Sequence, residues 1–171
     1  MIPLKDDNPS RSVPFVTFLL IAANLAVFAY EVTLPPAGLQ RLILDLGAVP
    51  ASFGFHRASP FLPAGIPWHT LISSMFLHGG FLHVGGNMLY LWIFGDNVED
   101  ALGHIRFLVF YLLCGIAASL FQIAAMPSSP VPLVGASGAI AGILGAYALL
   151  YPSARIRTLV FFVFFIRIVP I

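Results

Sequence analysis

The spacing of the charged residues constrains this chain more than any other feature. Three long stretches, residues 12–30, 58–95 and 107–154, contain no Lys, Arg, Asp or Glu. A helix needs about 20 consecutive apolar residues to cross a bilayer, so each stretch can hold at least one crossing. Only 9% of all residues are charged, whereas soluble domains contain about 25%. The sequence therefore predicts an integral membrane protein.

Prolines and polar residues divide the apolar stretches into four predicted spans. These spans are residues 13–30, 68–95, 107–125 and 131–151. We expect each to be a helix, because a helix satisfies its own backbone hydrogen bonds in lipid. Residues 158–166 form an apolar run too short to cross, which predicts the start of a fifth element. The predicted fold class is an all-α polytopic transmembrane helix bundle, one domain over residues 1–171 that we expect to be incomplete at its C-terminus.

The segments outside the spans predict a tail, a loop and a turn. Residues 1–12 are polar and predict a cytoplasmic tail. Residues 33–67 contain six prolines but many apolar side chains, which predicts a membrane-associated first loop with a short amphipathic helix at residues 39–46. Residues 96–106 are charged and predict a solvated turn between two spans.

The positions of Lys and Arg predict the orientation in the membrane. With the N-terminus inside, five basic residues face the cytoplasm and two face outward: Lys5, Arg11, Arg106, Arg155 and Arg157 against Arg41 and Arg57. Cytoplasmic segments carry an excess of Lys and Arg, so this orientation is favoured. We therefore expect a multi-pass protein of the plasma (inner) membrane with a cytoplasmic N-terminus.

Several classes of function are disfavoured. Eight scattered Lys and Arg residues and a net charge of +1 provide no basic face for nucleic acid. The single cysteine, Cys114, cannot form a disulfide or a thiolate metal cluster within one chain. The predicted spans contain no Asp or Glu to couple ions in a transporter, and a metal site at His78 and His83 lacks a third ligand. No cofactor and no metal is predicted.

The fourth predicted span, VPLVGASGAIAGILGAYALLY, places Ser137 between glycines. Proline fits only in the first helical turn, so the helix is predicted to begin near residues 132–135. The first N–H groups of this helix lie close to Ser137 and then lack intrahelical partners. These N–H groups and the positive end of the helix could stabilise an oxyanion that forms there. This stretch alone leaves open a packing helix whose serine bonds its own backbone. A soluble hydrolase elbow does not fit, because Ala139 stands where that motif needs glycine.

Small residues recur along the same span at helical spacing. They form two adjoining stripes, Gly138, Gly142 and Ala146 on one and Ser137, Ala141 and Gly145 on the other. Small residues at this spacing let helix backbones approach closely. The span is therefore predicted to pack tightly against neighbours on two faces.

The second predicted span carries polar side chains at membrane depth. His83 and Asn87 are four residues apart and share one face of a helix. Polar groups in a membrane are costly, so this face is predicted to be a functional interior. His78 lies about 140° around a helix from His83, so the two rings are not expected to converge. In the predicted orientation, Ser137 and the His83 and Asn87 pair lie at a common depth near the outer surface.

Three motifs in this order resemble the rhomboid intramembrane serine proteases. They are FLHGGFLHVGGN at residues 76–87, GDNVEDALGHIRFLVFYLLCG at residues 95–115 and GASG at residues 135–138. The resemblance implies that Ser137 is the nucleophile and that His83 and Asn87 are oxyanion-hole donors. It also implies that the substrates are transmembrane segments of other proteins, cut near the bilayer surface, and that membrane lipid is the surrounding partner.

The sequence departs from the family pattern in three places. His69 follows Trp68 where the family often has arginine, and Ala141 stands where an aromatic residue often stacks on the catalytic histidine. All five histidines precede Ser137, so the base that the family carries on its sixth helix is expected beyond residue 171, and the chain as printed is expected to be inactive. A noncatalytic rhomboid-like protein that binds transmembrane helices is the alternative. The retained serine, histidine and asparagine argue against it.

Overall fold

The computed structural model describes residues 2–53, 67–162 and 165–170, with side chains as far as residue 159. The helices in these ranges are α1 (Phe15–Thr33), α2 (Pro36–Leu46), α3 (Pro50–Phe53), α4 (Thr70–Ser73), α5 (Phe81–Leu102), α6 (His104–Ala125) and α7 (Ser137–Leu150). A 3₁₀ turn, Ser74–Phe76, follows α4 directly. The strands are β1 (Ile2–Asp6), β2 (Ile156–Phe162) and β3 (Phe165–Pro170).

Four of these helices pack around one apolar core. α5 lies against α1, α6 and α7, and α6 also packs along α7. The core contains fully buried large side chains from three of these helices, among them Leu91, Val98, Phe107, Tyr111 and Ile143. Of the described helices, α1 and α6 are long and apolar enough to cross a membrane, whereas α7 has only 14 residues. The helical membrane bundle is confirmed in outline, and four crossings remain a prediction.

One of the two small-residue stripes on α7 packs against α6, as predicted. A Cβ at Gly142 would overlap Cys114, and a Cβ at Gly138 would lie 2.5 Å from the Cβ of Ala118. The other stripe is open. Ala141 and Gly145 are exposed, and a Cβ at Gly145 would meet no neighbouring atom of the described residues within 4 Å. α7 therefore has one face covered by α6 and an adjoining face that the described residues leave uncovered.

The second predicted span is not a single helix, so that part of the prediction is wrong. α4 and the 3₁₀ turn cover residues 70–76, residues 77–80 are not helical, and α5 begins only at Phe81. Gly80 has φ +153°, a conformation that L side chains rarely adopt and that interrupts a helix. The N–H group of His78 donates to the carboxylate of Glu31 on α1 instead of to a helical carbonyl.

The charged segment at residues 96–106 is helical, so the prediction of a solvated turn is also wrong. Only Gly103, with φ +79°, separates α5 from α6. Glu99 is fully buried and accepts hydrogen bonds from the N–H groups of Val16, at 2.8 Å, and Thr17, at 2.7 Å. These are two of the unpaired N–H groups at the start of α1, so the carboxylate caps that helix. Glu99 can be buried because its charge is satisfied by the first helix.

The two ends of the chain form an antiparallel sheet in the order β1-β2-β3, which corrects the all-α fold class. β1 lies in the segment predicted as a tail, with Ile2 opposite Leu159 and Asp6 opposite Ile156. The apolar run at residues 158–166 contributes to β2 and β3, because its aromatic and β-branched residues favour strands. β1 precedes α1 and β2 follows α7, so both ends of the described bundle lie on the same side.

Asp6 connects this sheet to two helices. Its Oδ2 atom accepts hydrogen bonds from Asn97 Nδ2 on α5, at 2.9 Å, and from the hydroxyl of Tyr147 on α7, at 2.8 Å. Tyr147 lies in the last turn of α7, whereas Ser137 is the first residue of that helix. β1 therefore fixes α7 against α5 at the end opposite Ser137.

The first loop contains the short helix that the sequence predicts. α2 covers Pro36–Leu46 and begins a few residues earlier than expected, because Pro36 is well suited to the first helical position. Residues 54–66, which complete the predicted loop, lie outside the described residues. The association of this loop with the membrane stays a prediction.

Candidate active site

An extended segment leads into α7 and is held on both sides. Leu133 pairs with Ala48 through two backbone hydrogen bonds, of 3.1 and 2.8 Å. Gly135 N–H donates to the carbonyl of Ser74, at 2.8 Å. These bonds hold the chain extended past Pro132, so the helix begins at Ser137 and not near residues 132–135 as predicted.

Ser137 is the first residue of α7, and its side chain is exposed. The first backbone bond that closes within the helix runs from Ile140 N–H to the Ala136 carbonyl, at 3.0 Å. The N–H groups of residues 137–139 therefore have no backbone acceptor among the described residues. These free donors and the positive end of α7 meet at the serine, as the sequence predicts.

His83 and Asn87 lie one turn apart in the first part of α5 and converge on Gly135. Gly135 has φ +114°, and a Cβ there would lie 2.6 Å from His83 Nε2 and 3.5 Å from Asn87 Nδ2. Any side chain at this position would displace the histidine ring, so both the backbone conformation and the close approach require glycine. Asn87 is 8% exposed, and its Nδ2 atom has no hydrogen-bond partner among the described residues.

The three predicted site residues line one cavity of about 340 Å³ between α5 and α7. Ser137, His83 and Asn87 share its wall with Tyr90 and with Ala141 of the open stripe. The common depth inferred from the sequence thus corresponds to a shared cavity. Their chemical roles remain predictions.

A second cavity of about 450 Å³ lies on the other side of Ser137. It is bounded by α6, by the start of α7 and by the extended segment before it. Polar side chains of Ser74, Ser119 and Gln122 contribute to its lining together with Ser137. Ser137 therefore lines both a cavity bounded by α5 and a cavity bounded by α6.

His78 approaches His83, contrary to the expectation from helical geometry. The ring centroids are 5.1 Å apart with an interplanar angle of 67°. The expectation is wrong because His78 precedes α5 and does not share its helical spacing. His78 itself is buried, at 3% exposed.

The departures from the family pattern occupy different surroundings. His69 is exposed immediately before α4, and Ala141 is exposed on the uncovered face of α7.

His104 lies beside Glu99, with Nδ1 2.5 Å from the carboxylate. His56 lies outside the described residues. In the part of the chain that the structure describes, no three His, Cys, Asp or Glu side chains could hold a metal ion.

Sequence reasoning missed two buried carboxylates, Glu31 and Glu99. Glu31 follows the last residue of the first predicted span, yet it is 2% exposed and contacts the segment before α5. Glu99 lies in the predicted turn, yet it is fully buried. An acidic residue directly beside an apolar run, with no basic residue at helical spacing, is the signal that could have identified Glu31.

Comparison with known proteins gives the same family as the three motifs. The Rhomboid domain family matches residues 67–171. The chain is 41% identical over 96 residues to Rhomboid protein 1, mitochondrial, of Saccharomyces cerevisiae, an alignment that covers 54% of this chain and 28% of that protein. It is 37% identical over 145 residues to Rhomboid protease GluP of Bacillus subtilis, an alignment that covers 84% of this chain and 26% of that protein. It is 32% identical over 164 residues to RHOMBOID-like protein 5 of Arabidopsis thaliana, an alignment that covers 81% of this chain and 52% of that protein.

The matched region contains the whole candidate site. Residues 67–171 include the His83 and Asn87 helix, the Gly135 turn and Ser137. The aligned part covers between 26% and 52% of the length of these relatives, so the chain spans about a quarter to a half of them. The family match and the motifs agree, and the chain belongs to the rhomboid family.

Proposed function

We propose that the complete protein is an intramembrane serine protease that cleaves transmembrane segments of other membrane proteins, with Ser137 as its nucleophile. One observation carries the proposal: Asn87 Nδ2 is a buried donor without a partner among the described residues, and it lies with His83 Nε2 beside the cavity that Ser137 lines. A buried donor without an acceptor costs about 1–3 kcal/mol. An oxyanion formed at Ser137 would supply that acceptor.

The chemistry follows from these positions. The Oγ atom of Ser137 attacks the carbonyl carbon of the scissile peptide bond while a base removes the hydroxyl proton. The carbonyl oxygen becomes an oxyanion that accepts hydrogen bonds from His83 Nε2–H and Asn87 Nδ2–H. The amine leaves with the proton from the base, and water then hydrolyses the acyl-enzyme. The free N–H groups at the start of α7 stabilise the same negative charge.

Hydrolysis needs water at the depth of the serine, and the cavity beside α6 supports this requirement. Ser74, Ser119 and Gln122 supply hydroxyl and amide groups around about 450 Å³ of space that also reaches Ser137. A polar cavity of this size has room for several water molecules with hydrogen-bond partners. Water can therefore reach the acyl-enzyme from the side opposite His83.

The base is the member of the Ser-His dyad that the described residues do not supply. His83 Nδ1 accepts from Gly79 N–H, His78 is buried, and His104 lies beside Glu99. We infer that the base lies beyond residue 171, as the family resemblance implies. The chain as printed is accordingly proposed to be inactive.

The uncovered face of α7 is the proposed position of the helix that carries this base. Ala141 borders the cavity with Ser137, and Gly145 continues the same face without a close neighbour. The other stripe, at Gly138 and Gly142, is covered by α6 and is not open to this helix. Ala141 in place of an aromatic residue leaves more room at this face.

The alternative function is a noncatalytic rhomboid-like protein that binds transmembrane helices. Such a protein would have no need of an unpartnered donor at Asn87 or of the glycine that lets His83 approach Gly135. The protease is therefore favoured. Both functions place the protein in a membrane with transmembrane proteins as partners, and we propose the inner membrane with β1 and β2 on the cytoplasmic side.

Substitutions at Ser137 and Asn87 of the complete protein test the proposal. Ser137→Ala should abolish cleavage of a transmembrane substrate without changing the unfolding profile. Asn87→Ala should lower kcat by about a hundredfold or more with little change in KM, because an oxyanion donor contributes on the order of 3 kcal/mol in the transition state. Reconstituted protein and a labelled substrate in liposomes give both constants.

Asn24→Ala is the matched control, because Asn24 is also a buried asparagine but lies on α1 and bonds the Leu20 carbonyl. It should leave kcat close to the wild-type value. Wild-type cleavage by Ser137→Ala would show that the nucleophile is another residue. A normal kcat with a raised KM in Asn87→Ala would assign Asn87 to substrate binding instead.

A further inference from the structure

Glu31 is a buried carboxylate that the proposed chemistry does not use. It lies near the end of α1 and is 2% exposed. Both of its oxygens accept from one donor, the backbone N–H of His78, at 3.2 Å each. The Lys and Arg ion pairs among the described residues do not involve it. A buried carboxylate without a cation is costly, so a role other than packing is expected.

The residues that Glu31 holds lead directly into His83. His78 N–H donates to Glu31, and the next N–H, that of Gly79, donates to Nδ1 of His83 at 3.3 Å. His83 N–H donates in turn to the carbonyl of Gly80, at 3.1 Å. The short non-helical segment at residues 77–80 is therefore fixed to α1 on one side and to the histidine on the other.

The Gly79 contact decides which nitrogen of His83 carries the proton. An imidazole nitrogen that accepts a hydrogen bond has no proton, so the neutral ring must carry its proton on Nε2. Nε2 is the atom that faces Gly135, 2.6 Å from where a Cβ would be. The tautomer selected by Gly79 is thus the one that can donate toward Ser137. The opposite tautomer would present a lone pair to an oxyanion and repel it.

We propose that Glu31 is a positioning residue for His83. Its carboxylate holds the His78 N–H, which keeps the Gly79 N–H on Nδ1 of His83 and keeps Nε2 protonated and directed at the oxyanion. The proposal rests on the proposed function, in which His83 Nε2–H is an oxyanion donor. Glu31 does not touch the reacting atoms and acts only through the backbone of residues 78 and 79.

Nitrogen-15 NMR of the histidine rings tests the proposal without using activity. The complete protein is labelled with ¹⁵N-histidine in micelles, and the His83 signals are identified by their loss in His83→Gln. Wild-type protein should show the Nε2–H tautomer at His83. Glu31→Leu, which has no acceptor, should show a mixture of both tautomers, whereas Glu31→Gln keeps a carbonyl acceptor for the single His78 N–H and should match wild type.

Turnover provides the second measurement. Glu31→Leu should lower kcat about tenfold and change KM by less than about twofold, because a residue that orients a catalytic group acts on the transition state. Glu31→Gln should restore most of kcat. Glu99→Gln is the matched control, since Glu99 is a buried carboxylate at the other end of α1 and makes no contact with His83. It should reduce stability while kcat and the His83 spectrum stay unchanged.

Three results would overturn the proposal. The first is a wild-type spectrum with the proton on Nδ1, which needs no variant to fold. The second is a wild-type kcat in Glu31→Leu. The third is an equal loss of kcat in Glu31→Leu and Glu99→Gln with unchanged His83 spectra, because both residues would then act through stability alone. Cleavage by Ser137→Ala would instead overturn the proposed function, while the ring spectra would still decide whether Glu31 sets the His83 tautomer.

Discussion

Replacing Glu99 by glutamine should destabilise the bundle by about 3–5 kcal/mol, because the carboxylate is buried and serves two helices. The two side chains have the same shape, so packing is unchanged and only charge and acceptors are lost. Glu99 Oε2 accepts the N–H and the hydroxyl of Thr17, at 2.7 and 2.6 Å. Oε1 accepts the Val16 N–H at 2.8 Å and lies 2.5 Å from Nδ1 of His104, the first residue of α6.

The magnitude follows from what an amide can replace. If the amide oxygen of Glu99→Gln faces Thr17, its NH₂ group faces the Val16 N–H, and two donors then oppose each other. A buried N–H without an acceptor costs about 1–3 kcal/mol. The two bonds from Thr17 change from charge-assisted to neutral, which removes roughly another 1 kcal/mol each. The remaining contact with His104 can be kept by a change of tautomer.

The assay is the free energy of unfolding in mixed micelles, followed by helical circular dichroism and by the fluorescence of Trp68 and Trp92. Asp100→Asn is the control, because Asp100 accepts the Ser12 N–H, at 2.9 Å, in an exposed position on the next residue of the same helix. The interactions of an exposed charge are screened by solvent, so this variant should unfold nearly as wild type does. An equally small loss of unfolding free energy in Glu99→Gln would show that the Glu99 carboxylate does not stabilise the start of α1.

Two further predictions concern α7. Gly142→Ala should lower the free energy of unfolding of the 171-residue chain by about 1–3 kcal/mol, because the new methyl group overlaps Cys114. Gly145→Ala, on the open face, should raise this free energy by up to about 1 kcal/mol. Equal effects of the two variants would contradict the assigned packing faces. A serine-directed activity probe should label Ser137 in a chain extended through the next two spans and not in residues 1–171. Equal labelling of both chains would mean that a base exists among the residues printed.

The membrane class and the proximity of the candidate site residues could be predicted because they depend on short-range geometry. His83 and Asn87 share a face by helical spacing alone, and they line a cavity with Ser137. The free N–H groups at the start of α7 also follow from local rules, although the helix begins later than the prolines suggest. That shift depends on Ala48, which pairs with Leu133 from 85 residues away in sequence and holds the segment extended.

The errors arise where a distant partner changes the meaning of a local pattern. Residues 96–106 have the composition of a turn, but Glu99 is buried because α1 presents unpaired N–H groups to it. Residues 1–12 have the composition of a tail, but β1 pairs with β2 across 150 to 157 residues of sequence. Glu31 marks the end of an apolar run and at the same time accepts the His78 N–H. None of these partners could be identified from spacing along the chain.

The contacts of α7 explain why a serine at the start of a short helix can be held firmly. Its leading segment is held by Ala48 and Ser74, its side by the packing of Gly142 on Cys114, and its far end by the bond from Tyr147 to Asp6. Most of these contacts are backbone bonds or glycine packing, which leave little freedom for rotation or sliding. In the proposed protease, a serine held in this way need not move during catalysis, and the substrate would be admitted at the uncovered face of α7. That face and the cavity at His83 and Asn87 meet at Ala141, and a transmembrane segment entering there would reach Ser137 from the same side as these two proposed oxyanion donors.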